Sequence, residues 1–213
     1  MKQKIALIGG GGHCKSCIDV IEATGKYEII AILDRPELRD QTILDFVISG
    51  KDEDIALLPA DTQCLVTVGQ LKSANLRKYL YRLIQEQGLP AATILSPHAI
   101  VSEYAAIGNG TIIHHGAFVN ADATVGNNCI INSMALIEHD VRIGDHTHIA
   151  TGARINGGVK IGDSCFIGSG AILIQGISIT NQVIIGAGSI VTHSITEPGV
   201  YYGNPAKKKE TNE

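Results

Sequence analysis

The chain has 213 residues, a formal net charge of −4 and a pI near 6.0. Nucleic-acid surfaces need a basic patch and often aromatic stacking platforms, so an acidic chain with 4% aromatic residues and no Trp is not expected to bind nucleic acid. The first apolar run, Ile5 to Ile8, is too short for a signal-peptide core or a membrane span. We therefore predict a cytoplasmic protein whose five cysteines stay reduced.

A run of four glycines organises the N-terminal part of the chain. Lys4 to Ile8 predicts a strand, residues 9–12 are all Gly, His13 to about Ala23 predicts a helix, and Glu28 to Leu33 predicts a second strand. In such a β–loop–α–β unit, backbone N–H groups and a helix N-terminus can approach a phosphate. The unit predicts a Rossmann-like domain.

The glycine run is only a loose match to a dinucleotide fingerprint. Gly9 and Gly11 fit the spacing, but Cys14 stands where a third glycine is needed, which favours a phosphate-contacting loop of another kind. Asp34 follows the loop by about 20 residues, where an acidic group can reach a ribose or base. We expect the loop, His13 and Asp34 to converge on one crevice, although Asp34 could also simply end the strand.

The remaining N-terminal segments predict a small α/β domain over residues 1–94. Leu44 to Ile48 predicts a strand, Asp52 to Leu58 a weak helix or a loop, Cys64 to Val68 a buried strand, and Ser73 to Gln87 a helix that Gly88 ends.

Cys14 and Cys17 form a C-x-x-C pair. It could be a redox pair, but no second pair completes a zinc site, and we interpret it as structural. Cys129 and Cys165 are interpreted as buried packing thiols.

From residue 99 onward the sequence repeats every six residues without interruption. Such a period fits neither a helix nor a long strand, and it predicts short strands wound into a parallel β-helix with three hexads in each 18-residue coil. We assign residues 95–197 to this domain and residues 198–213 to a C-terminal tail. The aliphatic position of each hexad is occupied by Val101, Ile107, Ile113, Val119, Val125, Ile131, Ile137, Ile143, Ile149, Ile155, Ile161, Ile167, Leu173, Ile179, Ile185 and Val191.

A stack of coils needs covered ends and has flat sides. We expect the N-terminal domain to cover one end, and the tail to cover the other or to lie along the side. Flat sides favour assembly side by side, and a three-fold arrangement would form clefts between the subunits.

His139 is the strongest candidate for chemistry because it lies between Glu138 and Asp140. A neighbouring carboxylate can orient an imidazole and raise its pKa, so that it accepts a proton near neutral pH. A metal site formed with His146 and His148 is disfavoured, because stacked coils bring residues 18 apart together. We predict no metal.

Several motifs together resemble the bacterial sugar O-/N-acyltransferase family of the left-handed β-helix superfamily. They are Asn132-Ser133-x4-Glu138-His139-Asp140, Val141-x-Ile143-Gly144-Asp145, His148, Gly157-Gly158 and Tyr202-Gly203-Asn204-Pro205-Ala206-Lys207. Gly10-x-Gly12-His13 and Leu33-Asp34 resemble a subgroup that includes the UDP-N-acetylbacillosamine pathway and perosamine N-acetyltransferases. Members of that subgroup acetylate the 4-amino group of nucleotide-linked 4-amino-4,6-dideoxy sugars.

The resemblance implies a set of roles. It implies an acetyl-CoA-dependent N-acetyltransferase that uses no metal and forms a homotrimer with active sites between subunits. His139 corresponds to the general base and Asp140 to the acid that orients it. Asn132 and His148 correspond to residues at the acetyl end of acetyl-CoA. The remaining positions are Gly157, Gly168 and Ala187 along the pantetheine arm, Pro205 and Lys207 at the CoA nucleotide, and Gly10, Gly12, His13 and Asp34 at the nucleotide sugar.

Two other functions stay open at this point. One is O-acetylation of a sialic-acid-like sugar, because the sequence does not resolve the acceptor pocket. The other is a non-catalytic β-helix scaffold or binding protein, in which loss of His139 would change no ligand-dependent property. A γ-class carbonic anhydrase is disfavoured, because its three zinc-binding histidines have their own spacing and the repeat here has no protruding loop.

Overall fold

The computed structural model of the chain describes residues 2–209. The N-terminal domain contains a five-stranded sheet in the order β3-β4-β2-β1-β5, parallel except for β3. Its elements are β1 (Gln3–Ile8), α1 (Gly12–Thr24), β2 (Tyr27–Leu33), a 3₁₀ turn (Pro36–Leu38), β3 (Thr42–Ile43), β4 (Phe46–Gly50), a second 3₁₀ segment (Asp52–Leu57), β5 (Gln63–Val66) and α2 (Asn75–Glu86).

Sequence and structure differ most around β4. The predicted strand began at Leu44, but Leu44 has φ 51° and lies in the two-residue turn between β3 and β4. A left-handed conformation takes a residue out of a strand, so β4 begins only at Phe46.

The repeat region folds into a triangular parallel β-helix with three faces. The first face contains β6 (Ile94–Leu95), β9 (Ile112–Ile113), β12 (Ile130–Ile131), β15 (His148–Ile149), β18 (Phe166–Ile167), β21 (Val183–Ile185), β23 (Gly199–Gly203) and β24 (Ala206–Lys208). The second contains β7 (Ile100–Val101), β10 (Phe118–Val119), β13 (Leu136–Ile137), β16 (Arg154–Ile155), β19 (Ile172–Leu173) and β22 (Ile190–Val191). The third contains β8 (Ala106–Ile107), β11 (Thr124–Val125), β14 (Arg142–Ile143), β17 (Lys160–Ile161) and β20 (Ser178–Ile179).

Strand pairing gives the coil length directly. Ile137 pairs with Val119 on one side and with Ile155 on the other, so neighbouring strands are 18 residues apart. The aliphatic and small positions of the hexads point inward and form one continuous core. Cys129 and Cys165 lie in this core, fully buried, as predicted.

The N-terminal domain lies along the first face of the β-helix, not over its end. Cys17 and Ile18 of α1 share one buried cluster with Ile112 and Ile130 of the first face. The expectation of an end cap is therefore wrong: the outward side chains of the first face are apolar in these coils, so α1 packs on them and buries them. The first strand of the β-helix, β6, spans the predicted division between residues 94 and 95.

A buried arginine links the two domains. Arg77 of α2 is 1% exposed and donates to the carbonyl oxygens of Val66, Val68 and Asn128 and to the side-chain oxygen of Asn128. Because three of these acceptors are main-chain carbonyls, the guanidinium fixes the end of β5 against a turn of the β-helix. Among the described residues, no helix is long and apolar enough to cross a membrane.

Candidate functional site

A cavity of about 680 Å³ lies between the glycine loop and the first face of the β-helix. It opens at the carboxyl ends of β1, β2 and β5, where parallel α/β sheets bind ligands. Its lining includes Gly12, His13, Asp34, Gln70 and His148. The structure thus brings the predicted loop, His13 and Asp34 together in one crevice and adds His148 from the other domain.

Asp34 holds the glycine loop in place. Its carboxylate accepts hydrogen bonds from the Gly10 N–H at 2.5 Å and from the Arg35 N–H at 2.7 Å. A Cβ atom at Gly10 would lie 2.6 Å from Ile48 Cδ1, so any other residue here requires the Ile48 side chain to move. Asp34 therefore shapes the cavity floor through the backbone.

The N-terminus of α1 faces this cavity. The helix begins at Gly12, and its N-cap, Gly11, provides no side-chain hydrogen bond. The first N–H groups of a helix carry partial positive charge and need acceptors. An anionic group such as a phosphate suits this position.

His148 is buried at the wall of the cavity and is fully hydrogen bonded. Its Nδ1–H donates to the Gln70 carbonyl oxygen at 2.8 Å, and its Nε2 accepts from the Asn132 amide at 3.4 Å. Burial lowers the pKa of His148 to about 4, so the ring is neutral at physiological pH. The structure therefore places Asn132 and His148, both expected at the acetyl end of the donor, side by side.

His139 is exposed at the turn that follows β13. Its Nδ1 lies 2.7 Å from Asp140 Oδ2, and this hydrogen bond, followed by the nearby charges of Asp140 and Glu138, raises the pKa of His139. Since the carboxylate can only accept, the proton is on Nδ1 and Nε2 keeps its lone pair. A Cβ atom at Gly157 would lie 2.8 Å from this ring, so the glycine makes room for the imidazole.

Two columns of turns flank the second face of the β-helix. The first column joins the first face to the second and contains Asn132, Gly168 and Ala187; a Cβ atom at Gly168 would lie 2.5 Å from the Ala187 nitrogen. The second column joins the second face to the third and contains His139 and Gly157. Within one chain, His139 therefore lies across a whole face from the cavity, whose lining does not include it.

The C-terminal tail extends the first face. β23 pairs with β21, and β24 returns antiparallel to β23. Pro205 lies in the turn between them, and Lys207 is exposed on β24. Tyr202 packs beside Gly186, so the tail adjoins the first column at its C-terminal end.

Histidine positions exclude the metal site considered for the repeat. His146 lies at the third corner of the prism, where its Nδ1 bonds to Asn128. His139 and His148 lie elsewhere, as described above. A second concavity of about 630 Å³ between α2 and this corner contains none of the predicted site residues.

Gln70 was missed by the sequence analysis. It lies four residues beyond the end of β5, and the rule that ligands bind at the carboxyl ends of parallel strands could have identified it. Its side-chain amide donates to the Cys165 carbonyl oxygen at 2.9 Å, which fixes the 69–71 loop against the β-helix. The sequence pattern alone carries no signal for that second contact.

Comparisons with protein families match both domains. Residues 4–83 match the family described as PglD N-terminal domain, residues 122–157 match bacterial transferase hexapeptide (six repeats), and residues 158–193 match hexapeptide repeat of succinyl-transferase. None of the curated proteins compared with the chain matches it.

Solved structures are similar over nearly the whole length. The acetyltransferase domain of PglB from Neisseria gonorrhoeae FA1090, in complex with acetyl coenzyme A, is 28% identical, with 98% of this chain and 100% of that chain covered and a TM-score of 0.91. PerB from Caulobacter crescentus, in complex with CoA and GDP-perosamine, is 31% identical, with 97% of each chain covered and a TM-score of 0.90.

A third structure, WeeI from Acinetobacter baumannii AYE, is 23% identical, with 96% of this chain and 99% of that chain covered and a TM-score of 0.82. At this identity the likeness concerns the fold alone. Together the comparisons confirm the predicted fold, an N-terminal α/β domain followed by a left-handed parallel β-helix.

Proposed function

Because this chain belongs to the hexapeptide-repeat sugar acyltransferase family, we propose that it transfers an acetyl group from acetyl-CoA to the 4-amino group of a nucleotide-linked 4-amino-4,6-dideoxy sugar. The observation that carries the proposal is the His139–Asp140 pair. It presents an oriented Nε2 lone pair at an exposed turn, above a glycine that leaves the ring room. A histidine with a free, oriented lone pair can accept the proton that an amine loses when it attacks a thioester.

In the proposed reaction the neutral amine attacks the thioester carbonyl carbon and forms the C–N bond. His139 Nε2 takes the proton that the nitrogen loses, and Asp140 stabilises the resulting imidazolium. The C–S bond then breaks, and the CoA thiolate leaves and takes up that proton. A backbone N–H of a turn would stabilise the oxyanion. Positioning of both substrates supplies the rest of the acceleration.

The acceptor would lie in the cavity of the N-terminal domain. Its pyrophosphate would sit at the N-terminus of α1, beside Gly10, Gly12 and His13, with Asp34 near the nucleoside. The sugar would then project toward His148. Asn132 and His148 would adjoin the acetyl group, and Gly168 and Ala187 would follow the pantetheine arm toward Pro205 and Lys207.

We propose that the active protein is a homotrimer. Apart from Arg154, the second face presents apolar side chains outward, whereas the third face presents Ala106, Thr124, Arg142, Lys160 and Ser178. A large exposed apolar face favours an interface. Packing of second faces around a three-fold axis would bring the His139 column of one subunit beside the cavity of the next. The outward apolar residues are Ile100, Phe118, Leu136, Ile172 and Ile190, with Met134 at the edge.

We also propose a cytoplasmic location, which the proposed substrates support. All five cysteines are free and buried, which is compatible with a reducing compartment.

The deciding experiment combines the protein with acetyl-CoA and UDP-, GDP- and dTDP-linked 4-amino sugars, and measures release of free thiol. We expect release with at least one nucleotide amino sugar. His139→Ala should lower the rate by about 10² to 10⁴ while acetyl-CoA still binds, and His193→Gln, an exposed histidine at the end of the repeat, should leave the rate unchanged. Thiol release with free sialic acid alone would assign O-acetylation instead. An active His139→Ala variant would remove the base, and no release with any acceptor would support a binding protein.

A further inference from the structure

Three metal-ligating side chains meet beneath the glycine loop. His13 and Cys17 lie one helical turn apart on α1, and His114 follows β9 on the β-helix. One ligand atom from each residue lies within 4.8 Å of the other two. Residues four apart share one face of a helix, so α1 directs both of its ligands at the same point.

Among the described residues, the Nε2 atoms of the two imidazoles in this cluster have no hydrogen-bond partner. Nε2 of His13 and Nε2 of His114 are both buried without a hydrogen bond. His114 is 1% exposed and Cys17 is fully buried. His148, close by, uses both ring nitrogens in hydrogen bonds, as does His115 with Ser96 and Asp19. Unpaired buried nitrogens need an explanation, and a bound ion is one.

Both imidazoles are held in the form that binds metals. Burial, followed by neighbouring positive groups, lowers the pKa of His13 to about 2 and that of His114 to about 4. Burial also raises the pKa of the Cys17 thiol. Cys17 therefore binds a cation only by releasing its proton to solvent.

We propose that His13, Cys17 and His114 bind one thiophilic d¹⁰ cation, Cu(I), in a trigonal site with one sulfur and two nitrogen ligands. Thiolate and imidazole ligands select Cu(I) and Zn(II) among the biological metals. The binding step is balanced as Cys17–SH + Cu(I) → Cys17–S–Cu(I) + H⁺, with no change in oxidation state.

Charge and coordination favour the monovalent ion. The Cys17 thiolate neutralises Cu(I), whereas Zn(II) would keep a positive charge beside the buried guanidinium of Arg77, which acts electrostatically on all three residues. Zn(II) also prefers a fourth ligand. The cation can enter from the 680 Å³ cavity, because His13 forms part of its wall. Once bound, it would tie α1 to the β-helix, whether or not the protein transfers acetyl groups.

Titration of the full, reduced chain under anaerobic conditions with Cu(I) held by bicinchoninate tests the site. We expect the protein to withdraw one Cu(I) per chain and to release one proton, with one sulfur and two nitrogen neighbours in the X-ray absorption spectrum. Cys17→Ser and His114→Gln should each lower the affinity for Cu(I) by more than about 100-fold. Loss of a residue that only hydrogen-bonds to a metal ligand already lowers metal affinity by about 10- to 100-fold.

Cys14→Ser is the matched control. Cys14 is equally buried on the same helix, but its thiol bonds to Thr67 and lies outside the cluster, so this variant should keep full affinity. Thermal unfolding separates binding from folding: Cu(I) should raise the Tm of the wild type and of Cys14→Ser but not of Cys17→Ser. No withdrawal of Cu(I), equal loss in Cys14→Ser, or tighter binding of Zn(II) than of Cu(I) would overturn the proposal.

Discussion

His148 and Gln70 connect the two domains through one hydrogen bond, from the His148 Nδ1–H to the Gln70 carbonyl oxygen at 2.8 Å. Because a carbonyl can only accept, this bond places the proton on Nδ1. Nε2 then accepts from Asn132. The loop that lines the cavity thereby sets the tautomer of a histidine on the β-helix. Two sites that the sequence treats as separate are coupled through a single main-chain group.

The first prediction concerns the Gln70 side chain, which fixes that carbonyl by bonding to Cys165. Gln70→Ala should free the 69–71 loop and lower kcat for acetyl transfer by about 10-fold or more, because a small misplacement of His148 disturbs the position of the acetyl group. The ¹⁵N chemical shifts of His148 should show a mixture of tautomers. Gln85→Ala, an exposed glutamine on α2, should change neither measurement. A single Nδ1–H tautomer in Gln70→Ala would contradict this role.

The second prediction concerns the pH dependence of acetyl transfer. His139 must be neutral to act as a base, and its pKa is raised chiefly by the hydrogen bond to Asp140. The rate should therefore rise with pH through a pKa above the ordinary histidine value of 6.5. In Asp140→Asn that pKa falls, so the rising limb should move to lower pH while the maximum rate decreases.

Glu138→Gln is the comparison variant for this profile. Glu138 raises the pKa of the His139 ring only through its charge, the smallest of the causes that raise it. Its removal should shift the limb in the same direction by less than Asp140→Asn does. A limb that stays in place in both variants would show that another group is the base.

The period of six was enough to predict the β-helix, because every inward position repeats and the strand register follows from three hexads. His139 and Asp140 are adjacent in sequence, so their pairing was also predictable. The placement of α1 along the first face was not, since the contacts of Cys17 and Ile18 with Ile112 and Ile130 join segments about 100 residues apart with no common period. The contacts of Gln70 with Cys165 and of Arg77 with Asn128 were missed for the same reason.

The third prediction tests whether one active site uses two subunits. His139→Ala and Asp34→Ala chains should each form impaired trimers, because one lacks the base and the other lacks the tether of the glycine loop. Unfolding and refolding them together at equal amounts should restore about one quarter of the wild-type activity, the fraction of sites that pair an intact base with an intact cavity on neighbouring chains in a closed ring.

Two controls define that outcome. Leu136→Asp on the second face should abolish both the trimer and the recovered activity. Thr124→Asp on the third face should abolish neither. Light scattering measures the mass of the assembly. Trimers without any recovered activity would place His139 and the cavity of one chain in the same site.

The fourth prediction concerns the buried arginine. Arg77→Met leaves the carbonyl oxygens of Val66, Val68 and Asn128 without their donor, and each unpaired buried acceptor is costly. We expect the free energy of unfolding to fall by about 3 kcal/mol or more in urea titrations. Arg82→Met on the same helix removes an exposed ion pair with Glu86 and an exposed cation–π contact with Tyr79, and should cost about 1 kcal/mol. Equal effects would show that the interdomain hydrogen bonds contribute little.

The fifth prediction concerns acid stability. His13, His114 and His148 have folded pKa values of about 2, 4 and 4, below the ordinary value of 6.5. Between pH 6.5 and about 4 the unfolded chain therefore binds more protons than the folded chain, and stability must fall as the pH falls. Each buried histidine contributes a slope of up to about 1.4 kcal/mol per pH unit in this window. The stabilisation is complete only above pH 6.5.

Urea unfolding at a series of pH values, with a chelator present to remove metal ions, measures this slope. His114→Gln should reduce this slope by the contribution of one histidine. The variant lacks one of the three histidines whose protonation is suppressed in the folded protein. His98→Gln, an exposed histidine next to the same turns, should keep the wild-type slope. If the two variants gave the same slope, His114 would have to be protonated in the folded protein. Its Nε2 would then need an acceptor, and this atom has no hydrogen-bond partner in the described structure.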